Sequence, residues 1–147
     1  MSRGHMDSES RVLVVDDEPA IRALVARIVE RAGLPVDCAR DGAEAIEMLE
    51  ASVYAVVVVD LMMPNIDGYG LIDYLKRRKA GRPAVIVVSA IESGGLRQLD
   101  GSMVHSIVRK PFDIDVLGDL ISAAARSMAE ERAAGGDVLP FSRGSAC

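Results

Sequence analysis

Short apolar runs alternate with amphipathic stretches along this chain. Val12 to Val15 is a mostly β-branched run that closes on two acids, which predicts a buried strand over residues 11–15. Pro19 then opens a helix, at a position where its missing N–H costs no hydrogen bond. Ile21, Leu24, Val25, Ile28 and Val29 recur at helical spacing, while Arg22, Arg27, Glu30 and Arg31 largely take the other face. Gly33 ends this helix, and residues 36–39 form a weak second strand. Asp41-Gly42-Ala43-Glu44 has capping-box spacing, and Ile46 and Leu49 supply the inner face of the helix it starts. Residues 54–59 carry no polar position to face water and predict a strand covered on both sides. A loop from Met62 to Gly68 leads to a helix with Leu71, Ile72 and Leu75 inward. A fourth strand is expected over 83–88 and a fifth over 104–108. The last helix is expected from about residue 113 to about 132, with Leu117, Leu120, Ile121, Ala124 and Met128 on one stripe and Gly135-Gly136 stopping it.

Five strands alternating with helices predict an α/β fold: a doubly wound, five-stranded parallel sheet with helices on both faces. At 147 residues the chain is the size of one domain, and its 50% hydrophobic content is enough to bury a core. The 22 acids outnumber 17 Lys and Arg, Trp is absent, and Phe and Tyr are few. Neither charge nor aromatic stacking therefore favours direct nucleic-acid binding. No stretch reaches the ~18 apolar residues of a membrane span. Cys38 and Cys147 are too few for a disulfide framework or a zinc site and suggest a reducing compartment. Gly4-His5-Met6 resembles the remnant of a cleaved tag, so residues 1–9 are expected to be a tag remnant and disordered start. Residues 10–132 are expected to form the domain and 133–147 a tail, too short for an effector domain.

In doubly wound sheets, chemistry gathers at the carboxyl ends of strands. Here those ends carry Asp16-Asp17, Asp60, Ser89-Ala90 and Lys110-Pro111. Three carboxylates in one half-buried crevice repel each other, which either raises a pKa or recruits a cation. Mg2+ suits a shallow site of carboxylates and waters. With an ammonium and a hydroxyl beside it, such a site complements a phosphoryl group, and one carboxylate could act as its nucleophile. Taken singly, the same residues have plainer uses. Asp16 to Pro19 could be a helix cap with first-turn acids, Lys110 a turn lysine, and Ser89 an ordinary strand end. Asp67-Gly68 reads as a helix cap and turn, and His105 as a structural or surface residue.

Taken together, Val14-Val15-Asp16-Asp17-Glu18, Val59 to Gly68, Val88-Ser89-Ala90 and Lys110-Pro111-Phe112 resemble a response-regulator receiver domain of two-component signalling, over roughly residues 10–130. The resemblance implies a flavodoxin-like strand order of 2-1-3-4-5 and a phosphoacceptor role for Asp60. It implies Mg2+, with Mn2+ as a substitute, held by Asp17 directly, by Asp16 more through water, by Asp60, and by the backbone carbonyl of Met62. Ser89 would move its hydroxyl to the phosphoryl group, Ala90 would offer its backbone N–H, and Lys110 would pair with phosphoryl oxygens ahead of a typically cis bond to Pro111. The implied phosphodonor is a sensor histidine kinase or phosphotransfer protein, and the output a downstream effector. A homodimer could form through the segment at 91–103, the fifth strand and the last helix. The implied setting is the bacterial cytoplasm, and the implied role is a signalling phosphoacceptor rather than an enzyme. The chain is then either a stand-alone receiver or part of a larger regulator or hybrid kinase.

Three features depart from the family pattern. Ile107 stands three residues before the lysine, where receivers usually carry Tyr or Phe. Gly94-Gly95 and Gly101 weaken the helix expected between the fourth and fifth strands, which predicts a short or partly unformed segment. Ile107 and this segment favour an alternative, a phosphate-independent interaction or dimerisation module. A metal-dependent phosphatase would need an acid where Met62 stands. Finally, Met62 and Ile91 flank the path of the water that would hydrolyse an acyl phosphate, and neither side chain can hold it by a hydrogen bond. Slow self-dephosphorylation is therefore expected. The double substitution Met62→Asn, Ile91→Glu should speed phosphate loss followed by intact mass, and an unchanged or slower rate would count against this reading.

Overall fold

The computed structural model describes residues 10–61, 63, 67–78, 81–90 and 104–135. Its elements are β1 (Val12–Val15), α1 (Pro19–Arg31), β2 (Val36–Ala39), α2 (Gly42–Ala51), β3 (Val56–Val59), α3 (Gly68–Lys76), β4 (Ala84–Ser89), β5 (Val104–Arg109) and α4 (Ile114–Gly135). The expectations for residues 1–9, for Met62, for the glycine-bearing segment 91–103 and for residues 136–147 fall outside the described residues.

All five strands are parallel, in the expected order β2-β1-β3-β4-β5. Alternate side chains of one strand point to opposite faces, so a strand covered on both sides is apolar throughout. Val12, Val14, Val56, Val58, Ile86 and Val88 pack under α1 and α4. Leu13, Val15, Val57, Val59, Val85 and Val87 pack under α2 and α3. The predicted helical stripes face these layers. Leu71, Ile72 and Leu75 are buried on α3, as are Leu117, Ile121 and Ala124 on α4, with Leu120 and Met128 at the margin.

Local chemistry sets the helix ends. Gly33, at φ 82°, closes α1 with its N–H donating to Glu30 O, while the N–H of Leu34 donates to Val29 O. The Asp41 side chain accepts the Glu44 N–H at 2.8 Å. Glu44 reaches back one residue further than a capping box requires and accepts the N–H of Arg40. Asp113 caps α4 through the N–H groups of Asp115 and Val116.

Two elements differ from the sequence expectation. β3 begins at Val56 rather than at residue 54, and Tyr54 is buried ahead of it with its hydroxyl donating to Asp37. β5 is one of the two edge strands, and its register with β4 shifts between Val85 and Ile86, leaving His105 opposite no partner. Cys38, half-buried on β2, is disulfide-bonded, unlike the free thiols that a reducing compartment implies.

Asp37 is fully buried at the amino-terminal end of the sheet, an acid that the pattern of β2 does not announce. Tyr54 donates its hydroxyl to Asp37 Oδ2 at 2.7 Å, and Arg11 Nη1 lies 3.4 Å from Oδ1. Burial pushes the Asp37 carboxyl above the usual carboxylate range, against the opposing pull of Tyr54 and Arg11. Replacing Tyr54 by Phe keeps the ring and removes the shortest of these bonds. It should cost about 1–3 kcal/mol in urea unfolding, the scale of a buried acceptor losing its donor.

Candidate functional site

The carboxyl ends of β1, β3, β4 and β5 lie side by side because these strands are neighbours in the sheet. The ladder runs one residue past the strands, with the N–H of Asp60 donating to Val15 O at 3.1 Å and that of Lys110 to Ser89 O at 3.0 Å. Asp16 is 4% exposed, Asp60 7% and Ser89 2%, whereas Asp17 and Ala90 face solvent. The structure thus brings Asp16, Asp17, Asp60 and Lys110 together, with Ser89 at the end of the neighbouring β4 and Ala90 exposed after it, while Met62 lies outside the described residues.

Lys110 bridges the acids. Its Nζ lies 3.3 Å from Asp60 Oδ2, 3.4 Å from Asp16 Oδ2 and 3.9 Å from Glu18 Oε1. Carboxylate oxygens of Asp16, Asp17 and Asp60 lie within 4.8 Å of one another. An oxygen-only donor set of this size fits a hard divalent cation such as Mg2+. The Lys110-Pro111 peptide bond is cis.

Burial raises the pKa of Asp16, and the nearby charge of Asp60 raises it further. The Glu18 N–H and the Lys110 ammonium oppose this without cancelling it. For Lys110, burial alone would favour the neutral amine, but Asp16 and Asp60 outweigh it and its pKa is raised, so it is an ammonium at neutral pH. The crevice therefore holds a retained cation beside Asp16, a carboxyl that is costly to ionise.

Glu18 and Gly68 add to what the sequence reading assigned. Glu18 extends the acidic pair toward Lys110, and its place as a third consecutive acid was the available signal. Asp67 caps α3 through the Gly70 N–H, as expected. Gly68 does more than turn the chain. A Cβ there would lie 2.5 Å from Asp60 O and 2.6 Å from Leu61 Cα, so α3 starts hard against the Asp60 backbone. Ile107 sits beside Val87 and is 45% exposed. His105 is a surface residue whose Nδ1 meets the Ser106 hydroxyl.

A doubly wound sheet with an acidic crevice and a lysine at its strand ends defines a class, and comparison with known proteins gives the family. The family model for the response regulator receiver domain matches residues 12–122, and the chain belongs to that family. It is 33% identical over 117 residues to the transcriptional regulatory protein TcrA of Mycobacterium tuberculosis, covering 79% of this chain and 46% of that protein. It is 30% identical over 128 residues to the sensor histidine kinase RcsC of Salmonella typhimurium, covering 86% of this chain and 13% of that protein. Among solved structures, the response regulator TrrA of Thermotoga maritima, in complex with Mg2+-BeF, matches with a TM-score of 0.70 and 30% identity over 78% of this chain and 98% of that one. The chain spans less than half the length of these two curated relatives. Receiver domains are signalling modules rather than classical enzymes. No helix among the described residues is long and apolar enough to cross a membrane.

The Asp16 shift sets a sign for stability. A carboxyl whose pKa is raised by folding favours the folded state below its unfolded value near 3.8, and that contribution is lost as pH rises through the folded value. Asp16→Asn removes the buried charge while keeping an acceptor for the Glu18 N–H. In metal-free urea unfolding it should be more stable than the parent at pH 7. The gain should shrink as pH falls below the carboxylate range.

Proposed function

We propose that this receiver takes a phosphoryl group onto Asp60 in a Mg2+-dependent step and thereby switches its binding to a downstream effector. The donor is a phosphohistidine on a sensor kinase or phosphotransfer protein. The observation that carries this reading is Lys110 Nζ at 3.3 Å from Asp60 and 3.4 Å from Asp16, with Asp17 completing the carboxylate cluster. The transfer forms a bond from an Asp60 carboxylate oxygen to phosphorus and breaks the phosphorus–nitrogen bond, whose electron pair leaves with the imidazole. Asp16, Asp17, Asp60 and the Met62 carbonyl would hold Mg2+, or Mn2+ in its place. The ion, when bound, would supply charge that offsets carboxylate and phosphoryl oxygens together.

The chain's own groups have defined tasks. Lys110 meets developing phosphoryl charge with an ammonium that the two acids keep protonated. Ser89 at the end of β4, whose carbonyl accepts the Lys110 N–H, would offer its hydroxyl to the phosphoryl group, and Ala90 its backbone N–H. Gly68 keeps the Asp60 backbone in place. Transmission through Ile107 uses a β-branched side chain with no ring to reorient, so it differs from the aromatic readout. Homodimerisation through β5 and α4 belongs to the same proposal.

Incubation with acetyl phosphate and Mg2+ should add a single phosphoryl increment to the intact mass. The increment should vanish in Asp60→Asn and when Mg2+ is chelated. A folded protein that takes no increment would instead favour the phosphate-independent module.

A further inference from the structure

The connection from β1 to α1 carries adjacent carboxylates and must hold them against their own repulsion. Asp16 is fixed at each polar atom. Its N–H donates to Ala39 O at 3.2 Å, its Oδ1 accepts the Glu18 N–H at 2.9 Å, and its Oδ2 faces Lys110 at 3.4 Å. Its carbonyl accepts Arg22 Nη1 at 2.8 Å. Asp17 is exposed, so its backbone rather than packing sets the point from which its carboxylate reaches out. The Asp16 carbonyl lies in the plane of the Asp16–Asp17 peptide, so whatever holds that carbonyl sets where Asp17 begins. Arg22 is well placed for this. Its own N–H donates to Glu18 O at 2.9 Å in the first turn of α1, and its guanidinium folds back to the strand end.

We propose that Arg22 is a positioning residue of a divalent-cation site: by holding the Asp16 carbonyl it fixes the Asp16–Asp17 peptide and keeps the Asp17 carboxylate within reach of Asp16 and Asp60. The inference rests on the cation-binding reading above. The guanidinium bonds a carbonyl rather than a carboxylate, so what matters is a donor at that point. Lysine supplies a donor there, and methionine supplies bulk without one.

The test is a Mg2+ titration of the full chain by NMR, without phosphodonor, on the wild type, Arg22→Met and Arg22→Lys. Urea unfolding in chelator checks that each variant is folded. The Mg2+ dissociation constant should rise about tenfold in Arg22→Met, the scale of losing a group that orients a metal ligand, and stay near wild type in Arg22→Lys. Acetyl phosphate labelling of Arg22→Met should lag at low Mg2+ and recover at saturating Mg2+. A merely structural defect would depress it at every Mg2+ concentration. Unchanged Mg2+ affinity in Arg22→Met, or equal loss in Arg22→Lys, overturns the inference alone. A wild type that binds no Mg2+ overturns the cation-site reading with it.

Discussion

Two buried carboxylates share one ammonium at the carboxyl edge of this sheet, and much of the site follows from that crowding. Asp16 and Asp60 each meet Lys110 at 3.3–3.4 Å, and neither has solvent to disperse its charge. Burial, with the charge of Asp60 adding to it, raises the pKa of Asp16, and the attraction of both acids raises that of Lys110. Added positive charge near the acids relieves such crowding. The acidic residues of the site are therefore costly to stability and suited to chemistry.

The fold is the means of holding that crowding in place. β1 and β3 lie side by side in the middle of the sheet with every side chain buried, so their ends cannot drift apart. The Asp60 N–H continues the ladder onto β1, and α3 starts against the Asp60 carbonyl where only glycine fits. Around the acidic loop, Arg22 and the Glu18 N–H secure the backbone and the carboxylate of Asp16 separately.

The opposite end of the sheet handles a buried acid differently. Asp37 has an arginine and a tyrosine hydroxyl as partners, and Arg132 of α4 donates to the Tyr54 carbonyl beside them. There Asp37 on β2 meets side chains from the residues just ahead of β1 and β3, and Arg132 ties α4 to the same end. At the carboxyl end the acids share a cation and are arranged toward solvent through Asp17 and Glu18.

Most of the architecture was legible in the chain itself. Unbroken runs such as Val56 to Val59 require cover on both faces, and helical stripes such as Leu117, Ile121 and Ala124 supply it, so a doubly wound parallel sheet follows from side-chain periodicity. The same logic put Asp16, Asp60, Ser89 and Lys110 at strand ends, because an acid or lysine directly after a buried run marks where the sheet meets water. Interactions whose partners are distant in sequence were not legible. Nothing local announces that the Tyr54 hydroxyl meets Asp37, that a Cβ at Gly68 would strike Asp60, or that β5 shifts register against β4. Arg22 looked like one more polar residue on an outer helical face, since periodicity records which side a residue faces and not which carbonyl its long side chain can reach. Local pattern determined the elements and the residues at their ends. The tertiary structure decided their distances and protonation, which depend on how close separate strands bring their charges and how much water they exclude.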